Sequence, residues 1–539
     1  MLQKLLLVCL LLFPTALFGA DDFAESESNA ESDSVFTMSL SPAEIELNPL
    51  YSYFSLEGQI YTALHEGLVT YDPRTLKPVQ GIAERWEILE NGRLYRFFLH
   101  PQAHYSNGDK VLSSHFRDTW LKILGSGDEI PFASLLDPVH NAVKYRIGEI
   151  DNPERVGITA PSPDVLEVRL EYPAAYFLSI LTHQSLVVVH PDILHIRDWS
   201  AINSLPVTGP YYLRRMNADR MEFARNTAYW DSETPEFDYI VLEFDDDDIR
   251  KTQGFNSSEI QWIYSGFDSS ELRVPGSLQV SPQFNTSYYF FSAWNKPFDN
   301  AELRKALLML LPLSEIRSAD AHFFPSAVLV PEIPDYPEVT GIQNQDIPAA
   351  LRILDDIGYS HGEGLPPIHI QLPNSPEFRR VSTIMKNSWE EQLNMSVELS
   401  YYEYYSEYQR ALENKEIDIG FISWVGDYAD PMTFLQLWNS TSTLNLAGFF
   451  DPEFDRLLEE SNGLEGSARY EQLAKAEEYV LNSAIVLPVS HSPSFHVINL
   501  EEIGGWYATI LDVHPFKYFY KKKLVPPPNI ARGSGHISQ

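Results

Sequence analysis

The sequence predicts an α/β protein built from two or three lobes. Three observations carry this. The chain has 539 residues, more than one hydrophobic core accommodates. Its second half alternates strand-like and helix-like stretches, the order of an α/β lobe with partly parallel pairing. Its first half runs through short alternating strands set off by Asn-Gly turns, a β-rich pattern.

Taken in order, residues 1–20 read as a signal peptide. Lys4 supplies the positive start, residues 5–18 an apolar run broken by Pro14, and Gly19-Ala20 a small-residue cleavage end. The run is short for a membrane span. Val8-Cys9 comes too early to make a lipoprotein box, so no lipid anchor is expected. Cys9 is the only cysteine; once the leader is cut, the chain has no disulfide, thiol nucleophile or thiolate ligand. Residues 21–34 hold acids and serines without a base and read as a disordered spacer.

Order is expected from residues 35–40, a short strand, followed by Asn48-Pro49 and a helix over 55–65 that stops at Gly67. Asn91-Gly92 sets up a hairpin into the strand 94–99, Asn107-Gly108 makes a second turn, and 165–170 alternates again. Pro206-Val207-Thr208-Gly209-Pro210 is a punctuated loop entering a strand, continued by 221–225. The four aspartates 245–248 read as a solvated loop or helix start.

From Ser287 the character changes. Residues 288–291 form an apolar strand, and Asn300 caps a helix over 301–311. Then come a helix over 346–357 stopped by Gly358, a strand at 368–372, a helix at 375–393, a strand at 397–401 and a helix at 403–414. Residues 417–437 carry a strand, the acidic glycine turn Gly426-Asp427-Tyr428-Ala429-Asp430, and an apolar helix begun by Pro431. Helices over 453–460 and 468–481 close this lobe, and a strand at 485–489 leaves it. Residues 521–539, three lysines and then three prolines, read as a flexible tail.

Composition narrows the function. With 39 basic against 75 acidic residues the net charge is −36, so nucleic acid is not an expected partner. The 29 Tyr, 30 Phe and 10 Trp suit either a large core or a groove lined by rings. Catalytic signatures fail one by one. His65-Glu66 opens like a zinc-protease helix, but Val69 stands where the second histidine belongs. There is no nucleophile elbow, phosphate loop or dinucleotide fingerprint. His183, His190 and His195 match no ligand spacing and read as surface or satisfied histidines. No catalytic residue, metal site or cofactor is expected.

The stretch 417–437 stands out. Trp424-Val425-Gly426-Asp427 places a ring, a close-approach glycine and a carboxylate at one strand tip, a place to hold a small cation. It also fits an ordinary strand-to-helix turn with Asp430 near the N-cap.

Five segments together resemble the family-5 extracellular solute-binding proteins of ABC transporters, the oligopeptide-, dipeptide- and nickel-binding group. They are Asn48-Pro49 with His65-Glu66-Gly67-Leu68; Ala83-Glu84-Arg85-Trp86 with Tyr95-Arg96-Phe97-Phe98-Leu99 and Ser106-Asn107-Gly108; the Pro206 loop with Asn226 and Trp230; Asn295-Lys296-Pro297-Phe298-Asp299-Asn300 with Leu303-Arg304-Lys305-Ala306-Leu307; and 417–437. The resemblance runs from about residue 36 to about 520.

The resemblance implies a two-lobed periplasmic binding protein of type II-like fold, with mixed sheets and a hinge between lobes. The first lobe would comprise 35–72, 197–283 and 490–520, with an extra subdomain, 73–196, inserted in it; the second lobe would be 284–489. A peptide would lie extended in the cleft, held like an added strand, and the closed form would dock on an inner-membrane ABC permease. The chain would act as a periplasmic monomer.

In peptide-binding members the Trp-x-x-Asp motif holds the ligand's α-ammonium. That assigns Asp427 the ammonium, Trp424 a wall, and Val425 with Gly426 the adjoining backbone. Tyr288 falls where ligand-facing tyrosines occur, and Tyr53 aligns with a glutamate that pairs with bound peptide. The sequence departs from the pattern there and at Phe421, which replaces an arginine that meets the peptide carboxylate. A same-family binder of a metal chelate or sugar, a signalling receptor and, more remotely, a secreted hydrolase are the alternatives.

Overall fold

The structure, a computed structural model, describes residues 34–318 and 324–523. The signal peptide and all but the last residue of the spacer lie outside the described residues, as does the tail beyond residue 523.

Two mixed sheets organise the chain. One has six strands in the order Phe324–Pro325, Val486–His491, Asn285–Phe291, Ile419–Val425, Ile368–Pro373 and Val397–Tyr402. Its parallel pairs, Ile368–Pro373 with Val397–Tyr402 and with Ile419, are the ones joined through helices. Several helices of this half of the chain begin where the sequence offers a cap. Asn300, Asp346, Ser375 and Asp451 each accept hydrogen bonds from the first-turn N–H groups, and proline occupies the first turn after the last three. Asn285–Phe291 is buried at every position, which explains its unbroken apolar run: a central strand is covered on both faces.

The other large sheet has seven strands in the order Leu278–Pro282, Pro493–Ile498, Trp262–Ile263, Val35–Leu40, Tyr239–Phe244, Arg220–Arg225 and Tyr211–Met216. A separate four-stranded sheet joins Ala83–Leu89, Leu94–Leu99, Val165–Arg169 and Ile158–Ser162. Its first hairpin turns through Asn91 and Gly92 at φ 53° and 84°, left-handed values that asparagine and glycine tolerate best. Of the four aspartates, Asp247 caps the helix Asp248–Asn256 and Asp245 pairs with Arg250, so that run is a helix start.

The chain passes between the two large sheets twice. Leu278–Pro282 gives way to Asn285–Phe291, and Val486–His491 to Pro493–Ile498. On each side of the crossings these strands pair with one another, Pro282 with Pro493 and Ser287 with Ser490. Two adjacent strands therefore connect the lobes, a ribbon narrow enough to bend.

Candidate functional site

Strand Ile419–Val425 positions the site. One edge pairs residue for residue with Asn285–Phe291. The other edge pairs with a strand only at Ile419. Beyond it the Tyr408 hydroxyl accepts from the Phe421 N–H (2.6 Å) and donates to its carbonyl (2.9 Å). No strand among the described residues covers residues 422–425 on that side, so the edge is free to receive another backbone. Phe421 does not line the cavity beside Asp427 and packs into a cluster with Tyr289 and Phe378, its ring 5.0 and 4.6 Å from theirs.

The strand ends at Gly426, whose N–H donates to the Phe284 carbonyl (2.7 Å). A Cβ there would lie 2.7 Å from the Phe284 ring and 3.0 Å from the Thr433 methyl, so only glycine lets the chain turn this tightly. The next residue, Asp427, is turned inward. Its N–H donates to Thr433 Oγ1 (2.9 Å); its Oδ2 accepts from that hydroxyl (3.2 Å) and from Gln436 Nε2 (3.4 Å). Its side chain is 5 % exposed. Burial, only partly offset by Thr433, pushes its carboxyl up to about 8. Asp430, three residues on, accepts from the Met432 N–H and takes a bidentate pair from Arg469 at 2.8 Å. The cap expected of it is present, and an ion pair is added.

Asp427 lines a cavity of about 90 Å³. Its walls come from well-separated parts of the chain: Ser52, Tyr53, Phe132, His183, Trp424 and Val513 among them. Asp427 is the only acid and there is no lysine or arginine in this lining. His183, the imidazole in this lining, has Nε2 3.7 Å from Asp427 Oδ1. Burial drops the imidazole to about 3, so it is neutral. Asp427 thus stands buried without a cation and holds its proton at neutral pH; ionising it here carries a cost that a cationic ligand relieves.

Contacts across the cleft draw its walls together. Phe54 and Tyr405 meet edge-on at 5.6 Å, and Tyr176 stacks on Tyr428 at 6.0 Å. Thr443 Oγ1 donates to the Pro131 carbonyl (2.5 Å). The Tyr53 hydroxyl is raised first by burial and then by the Glu413 carboxylate. A volume of about 90 Å³ is small beside the roughly 300–1,000 Å³ of ligand pockets. The space beside Asp427 is the size of an ammonium group rather than of a whole ligand. A second cavity of about 670 Å³ lies behind the site, lined by Tyr176, Gln436, Lys144, Asp455 and Glu459 among others.

Of the residues singled out in the sequence, Trp424, Val425, Gly426, Asp427 and Tyr53 come together around the cavity. Tyr288 does not line it: its ring is buried and packed 5.6 Å from Trp438. Phe132, Thr433 and Gln436 line or contact the site without a signal that singles them out in the sequence, where His183 reads as a surface or satisfied histidine. Residue 183 is far from 427 in sequence, and no periodicity links the two.

Elsewhere, His496, Asp512 and His514 lie close enough to hold a metal ion. The Trp262 indole N–H donates to His496 Nδ1 (3.3 Å). That leaves the proton on Nε2, which donates to Asp512 Oδ1 (2.9 Å). Within the trio only His496 and Asp512 are hydrogen-bonded to each other; His514 Nε2, 3.7 Å from Asp512 Oδ1, has no hydrogen-bond partner among the described residues.

Comparison with known proteins finds relatives along nearly the whole chain. The family model described as "Bacterial extracellular solute-binding proteins, family 5 Middle" matches residues 77–445. The dipeptide-binding protein of Bacillus subtilis (strain 168) is 25 % identical over 475 residues, 85 % of this chain and 86 % of its own. A periplasmic oligopeptide-binding protein of Borrelia burgdorferi superposes with a TM-score of 0.79 at 25 % identity, covering 91 % of this chain and 100 % of its own. The Haemophilus influenzae OppA complex with RPPGFSPFR gives 0.79 at 22 % identity, over 92 % of this chain and 100 % of that one.

Proposed function

The chain belongs to the bacterial extracellular solute-binding proteins of family 5, and we propose that the solute it captures is a peptide, held between the lobes and passed to a membrane permease of an ABC importer. Membership in the family makes it a binding protein and not an enzyme. Relatives named for binding dipeptides and oligopeptides favour a peptide over a sugar or a chelate.

The observation that supports the reading most directly is the buried Asp427 carboxylate without a cationic partner. A peptide's α-ammonium supplies the missing charge and satisfies lone pairs that Thr433 and Gln436 leave free. The uncovered edge of residues 422–425 accepts the peptide's backbone as an added strand. Trp424 walls the first residue, and the larger cavity behind Gln436 leaves room for side chains. Tyr53 takes part through the cavity wall rather than through a charge.

Binding and closure are coupled by the same residue. Closing the empty cleft buries Asp427 alone, which is costly; closing it over an ammonium buries a neutral pair. Ligand therefore selects the closed form. The lobes, 35–72 with 197–283 and 490–520 against 284–489, would pivot on the two crossings near residues 283 and 492, with 73–196 riding on the first. The chain works as a periplasmic monomer, delivered by its leader, 1–20, and the closed form is what the permease recognises.

The test is ligand identification and one substitution. Mass spectrometry of the purified protein should find peptides with free amino termini, and such peptides should raise the melting temperature by mass action. Asp427→Asn keeps the shape and removes the charge; peptide affinity should fall by at least about 30-fold, the lower end for losing one partner of a buried charge pair. Stabilisation by sugars or chelates with none by peptides would sink the peptide reading.

A further inference from the structure

We propose that His183 is a second ligand-reading residue: its Nε2–H donates to the carbonyl oxygen of the ligand's first peptide unit, so that the site takes α-aminoacyl compounds and rejects plain amines. This rests on the assignment of the ligand's ammonium to Asp427.

The tautomer is set by local structure. His183 caps the turn Gln184–Leu186, its Nδ1 accepting from the Ser185 N–H (3.3 Å) and lying 2.7 Å from the Ser185 hydroxyl. A neutral imidazole that accepts at Nδ1 carries its proton on Nε2. Phe132 packs against the ring with centroids 4.5 Å apart, fixing its plane. The side chain is 5 % exposed, and it shares the cavity lining with Asp427 and Trp424. A buried imidazole N–H fixed in this way calls for an acceptor.

Asp427 does not fill that role in the empty site. Nε2 to Oδ1 is 3.7 Å, beyond hydrogen-bond length. An ammonium cannot fill it either, because it only donates. What fits beside the ammonium is an acceptor a short bond path away. In an α-aminoacyl group the carbonyl oxygen is separated from the nitrogen by two carbons, so the pair Asp427 and His183 reads donor and acceptor together. A simple alkylamine or polyamine offers the first and leaves His183 unpaired, which carries the cost of a buried unsatisfied donor.

The test compares two ligands on three proteins by calorimetric titration. The ligands are the best-bound member of an oligoalanine series and its analogue with an (E)-alkene in place of the first peptide bond, which keeps the shape and removes the carbonyl. The proteins are the wild type, His183→Asn and His183→Gln. Asparagine can accept from Ser185 as Nδ1 does but has nothing at the Nε2 position; glutamine reaches that position with an amide N–H. The wild type should bind the peptide roughly tenfold more tightly than the alkene. His183→Asn should lose most of that preference through weaker peptide binding, and His183→Gln should regain part of it, as a double-mutant cycle requires of a direct contact. Equal preference in wild type and His183→Asn, with the peptide bound well, overturns the inference and leaves the peptide reading standing. Failure of every oligoalanine to bind overturns both.

Discussion

Asp427 makes closure of the empty protein a proton-linked event. In an open cleft the carboxyl titrates near its ordinary 3.8, and in the closed, empty cleft burial raises it to about 8. Between those values the closed form holds one proton more than the open form. Closure is therefore fully favoured by this group below about pH 3.8, and that contribution is lost as pH rises through about 8. At about pH 7 the penalty for closing empty is on the order of 4 kcal/mol, from roughly three pH units at 1.36 kcal/mol each. The closed-to-open ratio should rise about tenfold for each pH unit of acidification between about pH 8 and about pH 6.5. In an open cleft His183 titrates near its ordinary 6.5, and in the closed cleft burial lowers it to about 3. Below about pH 6.5 closure therefore also releases its proton and offsets the uptake at Asp427; above that pH, with Thr433 and Gln436 unable to titrate, one proton is the expected stoichiometry. Small-angle scattering of ligand-free protein should show compaction from about pH 8 to about pH 6.5. Asp427→Asn should be compact across the whole range, because its amide pays no such penalty. A variant whose dimensions track those of the wild type at every pH would refute the reasoning, since the proton would then be taken up elsewhere.

Three further outcomes follow from the geometry. Gly426→Ala pushes a methyl to within 2.7 Å of Phe284. It should lower stability by about 1–3 kcal/mol and weaken peptide binding with it; urea unfolding and titration unchanged from wild type would show that the turn has slack. Arg469→Met leaves the Asp430 carboxylate buried without its bidentate partner. About 3–5 kcal/mol of unfolding free energy should be lost, and a loss under 1 kcal/mol would mean water reaches Asp430. Phe54→Ala removes one half of the cross-cleft ring pair. Ligand affinity should fall roughly 2- to 12-fold, the equivalent of about 0.5–1.5 kcal/mol, without a change in melting temperature of the free protein; equal affinity would show that the pair does not hold the cleft shut.

Most of the second lobe was legible in the sequence because its signals are local. Apolar periodicity separates strand from helix within a dozen residues, and caps such as Asn300 and Ser375 act on N–H groups two or three residues away. The acidic glycine turn after Trp424 was legible for the same reason, since Gly426 and Asp427 are adjacent. The fate of Asp427 and Asp430 was harder to read. Both sit in one turn, yet Asp430 found Arg469 and Asp427 found no cation; only the placement of the helix Gly466–Asn482 decides which acid is paired.

Residue types, turn chemistry and the order of elements were thus determined by sequence alone, together with the exclusion of a thiol and the weakness of every catalytic motif. Tertiary structure decided which side chains share the cleft. Tyr288 is turned into the core against Trp438, although its strand position suggested the ligand. His183, which caps the turn Gln184–Leu186 outside both large sheets, comes within 3.7 Å of Asp427 only in the folded chain. The physical reason is range. Backbone propensities and caps act over a few residues, whereas a charge is paired or left unpaired by whatever the folded chain brings within about 4 Å.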